Sequence, residues 1–215
     1  MKVECILFDL DGTLWDYSHV TSNTWAKVYA QLPEALTPPT PGQVRRCSGM
    51  TPQQVCDVLL PGIAPKRQME IFNLCTRMGK YEDMDLTTCL YPGTLDMLAL
   101  LSQEYPLFLV SNCSQDYLDH CLSAIPLERY FVQTAAYGTM GNGKSENITN
   151  LMERHGYTNG IYVGDTHMDY QAACKAGTEF LFASYGFGQV PEARYQAGAV
   201  REIPDCIRRM EAEER

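Results

Sequence analysis

The sequence predicts an α/β fold, a parallel sheet flanked by helices, with an all-helical insertion near its start. Three observations predict it. The apolar residues Val3 and Cys5–Phe8 end abruptly on Asp9, Asp11, Gly12 and Thr13; buried parallel strands are continuously apolar, and open α/β sheets bind ligands beyond their carboxyl ends. Residues 15–87 show helical spacing and proline breaks without strand alternation. From Leu90 onward short apolar runs alternate with helical segments, the rhythm of strand–helix–strand crossovers. The expected architecture is therefore Rossmann-like, with residues 1–14 and 88–215 forming the α/β core domain and 15–87 the helical insertion.

The elements follow in order. Val20, Trp25, Val28, Tyr29 and Leu32 recur at helical spacing, so Trp15–Leu32 reads as a helix, broken by Pro33, Pro38, Pro39 and Pro41. Gly42–Ser48, Pro52–Leu60 and Pro65–Lys80 read as further helices, each after a proline or threonine start signal. Tyr91-Pro92-Gly93 opens a helix through Leu95, Leu98 and Leu101; Pro106–Val110 is a strand ending in Ser111-Asn112; Gln115–Ile125 is a helix and Phe131–Ala136 a strand. Lys144–His155 is a helix, and Gly160–Val163 is a strand ending at Gly164-Asp165. The next helix runs through Ala172 and Ala176 to Gly177, and Phe180–Ala183 is a strand. A last strand near Ala199, an amphipathic helix from Ile203 and a frayed acidic tail over 211–215 close the chain.

Composition excludes several function classes. Hydrophobic content of 45% and charged content of 20% fit a globular protein and not a disordered one. A net charge of −9 makes nucleic acid and anionic membrane poor partners. No run of apolar residues is long enough to span a bilayer, and the N-terminus has no signal-peptide layout. The nine cysteines are odd in number and irregularly spaced, with no Cys-x-x-Cys. They predict free thiols, mostly small core residues, in a reducing cytoplasm.

The chemistry begins at the first strand's end. Asp9 and Asp11 alternate, so they face a site together only if the chain turns at Gly12. Two carboxylates this close repel unless a cation or proton compensates them, and hard oxygen donors favour a divalent metal, Mg²⁺. Two further strand ends present Ser111/Asn112 and Asp165, with Asp169 one helical turn beyond Asp165; Lys144 follows the glycine-rich stretch 138–143. Taken singly, Ser111 is equally a strand-end cap, Lys144 is more often a solvated surface lysine, and Gly164-Asp165-Thr166 also reads as a helix cap with Asp169 solvated. Together they supply what phosphoryl transfer needs: a nucleophile, a proton donor, charge neutralisation and positioning.

Asp9-Leu10-Asp11-Gly12-Thr13-Leu14 resembles the first motif of the haloacid-dehalogenase-like (HAD) hydrolase superfamily, and the chain is similar to its phosphoglycolate-phosphatase-like branch with a helical cap. Four motifs match in order over nearly the whole chain. The resemblance implies a Mg²⁺-dependent phosphatase that hydrolyses a small phosphomonoester through an aspartyl-phosphate. Asp9 would be the nucleophile and Asp11 the general acid and then base. Ser111, the Asn112 backbone N–H and Lys144 would bind the phosphate. Asp9, the Asp11 carbonyl and Asp165 would hold the metal, with Asp169 a further ligand or the partner of a metal-bound water. The branch often runs Lys-Pro at the third motif, whereas here Lys144-Ser145 keeps the charge and loses the proline start signal. The implied partner is a small phosphorylated metabolite, and the chain a monomer or homodimer. Dehalogenation is disfavoured because halide displacement needs no acid at Asp11. A sugar-phosphate mutase stands second, since Thr21 occupies the place of the mutases' cap histidine and His19 is out of register. A non-catalytic binding protein on the same fold is the third reading.

Residues 15–87 would then be a cap closing over the site. Arg45 and Arg46 precede Ser48-Gly49-Met50, where a cap loop of related enzymes enters the site. Either arginine would suit a carboxylate or second phosphate on the leaving group, but the pair reads more readily as solvated helix-end residues. Trp15, Asp16 and Tyr17 occupy the first hinge, Trp25 suits the cap's core, and Gly186-Phe187-Gly188 is a site-edge loop or a plain turn. His167 is expected at the surface or behind the metal ligands.

Overall fold

A computed structural model describes residues 2–79, 86–125 and 127–213. Its six strands are β1 (Cys5–Phe8), β2 (Leu107–Val110), β3 (Gln133–Ala135), β4 (Gly160–Gly164), β5 (Glu179–Ala183) and β6 (Tyr195–Ala197). All pair parallel in the order β3-β2-β1-β4-β5-β6. β1 lies at the centre, with Ile6 opposite both Leu107 and Ile161. The strand order reverses there, and in an open α/β sheet that reversal opens a crevice at the carboxyl ends. Asp9, Ser111 and Asp165 are the residues at that edge.

The sheet is covered on both faces, which is why its strands are apolar throughout. Alternate side chains separate cleanly. Ile6, Phe8, Leu109 and Val163 pack with α5 (Thr94–Leu101), α6 (Gln115–Ala124) and α9 (Ile203–Glu213), whereas Leu7, Phe108, Val110 and Tyr162 pack with α7 (Lys144–His155) and α8 (His167–Ala176). Burying each of these side chains is worth about 1.5–3 kcal/mol. Tyr162 lies fully buried, and its hydroxyl donates to the Val110 carbonyl at 2.9 Å, so its polar end has a partner.

Residues 18–79 hold four helices: α1 (Ser18–Tyr29), α2 (Pro41–Arg46), α3 (Pro52–Leu59) and α4 (Pro65–Gly79). They share a core of their own, with Trp25, Val28, Cys56, Leu60, Ile71 and Phe72 in contact. Thr40/Gln43 and Thr51/Gln54 form capping boxes, each with a proline at the first helical turn, and these start α2 and α3. α4 also packs against α6, which brings the bundle down onto the sheet's carboxyl edge.

Several boundaries differ from the sequence reading. The first helix starts at Ser18 rather than Trp15, because the Asp16 carboxylate accepts the Ser18 N–H and stops the helix there. The last strand ends at Ala197, short of Ala199. Gly198 donates its N–H to the Glu202 carboxylate, which turns the chain out of the ladder toward α9. The helix at Lys144 forms without the proline: the Glu146 carboxylate accepts the Asn142 N–H at 2.7 Å and anchors its first turn. Lys80, the last residue of one expected helix, and residues 214–215 of the tail lie outside the described residues. All nine cysteines are free thiols, and six of them are buried.

Candidate active site

β1 delivers Asp9 to the carboxyl edge, where its side chain is buried. The chain then turns sharply: the Leu10 carbonyl accepts the N–H groups of Thr13 and Leu14. Gly12 makes the turn with φ +88°, and a Cβ there would collide with the Asp165 carboxylate. Only glycine combines that backbone with that approach. Asp165 is held from three sides. Phe187 N–H donates to Oδ2 at 2.7 Å, the Thr13 hydroxyl to Oδ1 at 3.4 Å, and Gly186 and Gly188 pack so closely that side chains there would meet Asp165. The stretch 186–188 is therefore a wall of this site.

Lys144 reaches in from the first residue of α7. Its Nζ lies 2.7 Å from Asp9 Oδ1 and 2.5 Å from Asp169 Oδ1, all three groups buried. Asp169 also closes the capping box of α8, its Oδ2 accepting from the Thr166 N–H at 2.9 Å and hydroxyl at 2.6 Å. One oxygen each from Asp9, Asp165 and Asp169 lies within 4.8 Å of the others, a set that could hold a metal ion. Burial, then the neighbouring Asp169, pushes the Asp165 carboxyl up to about 7. Burial likewise lifts Asp9 well above the usual carboxylate range, against the pull of Lys144 and with the push of Asp169 and Asp165. Lys144 is held well above its ordinary value because Asp169 and Asp9 outweigh its burial. Three carboxylates around one ammonium remain short of positive charge, and hard oxygen donors suit a divalent cation.

Asp11 is placed differently from the other acids. Its Oδ1 accepts from the Tyr117 hydroxyl at 2.7 Å and from Trp15 Nε1 at 2.9 Å. Its carboxylate thus stands apart from the Asp9–Asp165–Asp169 set, and its backbone carbonyl accepts from the Ser48 hydroxyl at 3.0 Å. Burial raises the Asp11 carboxyl to about 6 although both hydrogen bonds lower it. Ser111, at the end of β2, is buried, and its Oγ accepts the Cys113 N–H at 3.3 Å. The Asn112 side chain donates to the Gly49 carbonyl at 2.7 Å.

The insertion thus touches the site through Ser48 and Gly49 rather than through the two arginines before them. Arg45 lines the cavity but is engaged by Asp16 at 2.6 Å and by Ser18 at 3.1 Å. Arg46 is exposed and is not among the cavity's lining residues, so the solvated reading fits it. His167 is exposed opposite Glu192, and His19 is exposed near Arg45. Trp25 is in the bundle core. Sequence reasoning did not assign Tyr117, the Trp15 indole N–H or Ser48 to Asp11. Tyr117 comes from α6, 106 residues away, and no local pattern announces it. Trp15 at least lies four residues after Asp11.

A cavity of about 140 Å³ opens between the strand ends and the bundle, with Asp9, Asp11, Ser111 and Asn112 at its floor.

Comparison with known proteins places these features in a family. Residues 6–183 match the family model described as haloacid dehalogenase-like hydrolase. A phosphoglycolate phosphatase of Aquifex aeolicus is 28% identical over 198 residues, 87% of this chain and 89% of that protein. One of Pseudomonas putida is 27% identical over 192 residues, 85% of this chain and 70% of that protein. Among solved structures, a haloacid dehalogenase-like hydrolase of Streptococcus pneumoniae superposes with a TM-score of 0.80 at 22% identity, covering 94% of this chain and 97% of its own.

Proposed function

Because the chain belongs to the haloacid dehalogenase-like hydrolases, we propose that it is a Mg²⁺-dependent phosphatase that hydrolyses a small phosphomonoester through an aspartyl-phosphate at Asp9. The observation that carries the reading is the buried Asp9 carboxylate, held 2.7 Å from Lys144 at the end of the central strand, with Asp165 and Asp169 beside it. Phosphoglycolate, the substrate in the relatives' names, belongs on the panel of esters that tests it.

Each residue then has a task. A carboxylate oxygen of Asp9 attacks phosphorus as the ester oxygen departs, dividing one difficult displacement into two. Asp11 protonates that leaving oxygen and, in the second step, takes a proton from the water that attacks the aspartyl-phosphate; such transfers are worth about 10²–10⁴-fold. A value raised to about 6 suits a group that must both give and take a proton. Tyr117 and Trp15 hold that carboxylate at the cavity wall. The Ser111 hydroxyl, the Asn112 N–H and the Lys144 ammonium bind the phosphoryl oxygens, and Lys144 also pulls the Asp9 carboxyl toward its ionised form. Asp9, Asp165, Asp169 and the Asp11 carbonyl would hold Mg²⁺, whose charge offsets that of the acids and the phosphate. The Asp11 carbonyl has a second lone pair beside its bond from Ser48, so it fits that role. Residues 15–87 act as a cap domain over a core of 1–14 and 88–215, with Ser48 and Gly49 as the part that closes on the site. The proposed setting is cytoplasmic, as a monomer or homodimer.

Steady-state phosphate release from a panel of phosphomonoesters, with Mg²⁺ and with chelator, tests the reading in wild type and Asp9→Asn. Metal-dependent turnover that disappears in the variant is expected. Turnover surviving in Asp9→Asn, or none in folded wild type, overturns it. No observation favours the mutase reading: Thr21 lines the cavity at the expected histidine position, and His19 is exposed.

A further inference from the structure

Resting on the phosphatase reading, the inner surface of the cavity narrows its substrate. The cavity runs from Asp9 and Asp11 into the helical bundle, and its far wall is made of Trp25 on α1, Val44 on α2, Met50 in the loop before α3, Val55 and Leu59 on α3, and Phe72 on α4. Thr21, Thr24 and Thr76 add hydroxyls without charge. Among the described residues that line it, Arg45 is the one lysine or arginine. Arg45 is already neutralised: Nε and Nη2 both donate to Asp16 Oδ2, at 3.1 and 2.6 Å, and Nε also to Ser18. Asp16 stays ionised beside it, since hydrogen bonds from Ser18 and Arg45 overcome its partial burial and lower its carboxyl. His120 shares the Tyr17 hydroxyl at 3.2 Å. A second anion on the substrate would therefore enter an apolar chamber with two carboxylates at its floor and no uncompensated lysine or arginine to meet it. Burying a charge without a partner is strongly unfavourable. An apolar group would instead find aromatic and aliphatic walls.

We infer that the leaving group is an uncharged, apolar alcohol, alkyl or aryl, and that esters carrying a second anionic group, phosphoglycolate included, are poor substrates.

Two matched comparisons test this in the Mg²⁺-loaded enzyme. Methyl, propyl and pentyl phosphate share nearly the same leaving-group chemistry, so kcat/KM should rise with the area buried, about fourfold per methylene. Ethyl phosphate and phosphoglycolate share a two-carbon leaving group and differ by the carboxylate; ethyl phosphate should win by about tenfold or more. Met50→Lys, which places a free cation on the wall from a loop, should move that ratio toward phosphoglycolate. An alkyl series flat within about twofold, or phosphoglycolate preferred by wild type, overturns the inference. If that turnover is still lost in Asp9→Asn, the phosphatase reading stands without it. If folded, metal-loaded enzyme hydrolyses none of these esters or any other on the panel, both readings fall.

Discussion

Replacing Lys144 by Met removes the ammonium at the centre of the site while keeping most of its apolar stem. In the wild type Nζ contacts Asp9 at 2.7 Å and Asp169 at 2.5 Å, and all three side chains are buried. Removing one partner of a buried ion pair costs about 3–5 kcal/mol, because the remaining charge is left uncompensated. For a chain of this length each kcal/mol moves the midpoint by about 2–4 °C, so metal-free Lys144→Met should melt about 6–20 °C lower near pH 8. The pH dependence has a definite sign. Lys144 has a raised value in the folded state, so its contribution is complete below the unfolded lysine value and is lost only as pH rises through the folded one. Between pH 5 and 8 it is constant. Asp9 already lies well above the carboxylate range through burial, and without Lys144 it rises further. The folded variant then holds at least as much proton at Asp9 as the folded wild type, so its penalty does not shrink as pH rises from 5 to 8. Urea denaturation of both metal-free proteins at the two pH values measures this. A penalty under about 1 kcal/mol at pH 8, the size of an exposed pair, would refute the reasoning. So would a penalty that shrinks between pH 5 and pH 8.

Tyr117→Phe removes one of the two bonds that hold Asp11 near 6 against its burial. The value then rises; because the general acid must be protonated, the basic limb of the kcat/KM profile should move up by about one pH unit, and an unmoved limb would separate that limb from Asp11. Gly12→Ala forces a side chain onto φ +88° and into the Asp165 carboxylate, so it should cost at least about 2 kcal/mol in denaturant and abolish turnover. Metal must displace the proton from Asp165, which burial and Asp169 raise to about 7. Calorimetric Mg²⁺ affinity should therefore fall by up to about tenfold per pH unit below 7, and a flat profile would exclude Asp165 as a ligand.

The sheet was legible because its strands are buried on both faces. Cys5–Phe8, Leu107–Val110 and Gly160–Gly164 are apolar runs that stop on polar residues, and that stop marks the carboxyl edge. Asp9, Ser111 and Asp165 could be located for this reason, and Asp169 through helical spacing. The weakest strand, Tyr195–Ala197, was displaced in the reading because only its pairing with β5 defines it. What sequence could not supply were contacts between distant segments. Tyr117 meets Asp11 across 106 residues and Arg45 meets Asp16 across 29. The second contact changes the meaning of Arg45, from a free anion receptor to half of an ion pair. The apolar chamber was hidden for the same reason: Trp25, Val55 and Phe72 carry ordinary core periodicity, and only the packing of α1, α3 and α4 leaves space between them and the acids.

The aspartyl nucleophile is the central claim, and a covalent trap tests it most directly. Enzyme turning over a good phosphomonoester with Mg²⁺ is quenched and reduced with borohydride, which converts an acyl phosphate to an alcohol, and the peptides are read by mass spectrometry. The account predicts homoserine at position 9, dependent on substrate and absent from Asp9→Asn. Modification at another carboxylate, or full turnover in an Asp9→Asn enzyme, would contradict it.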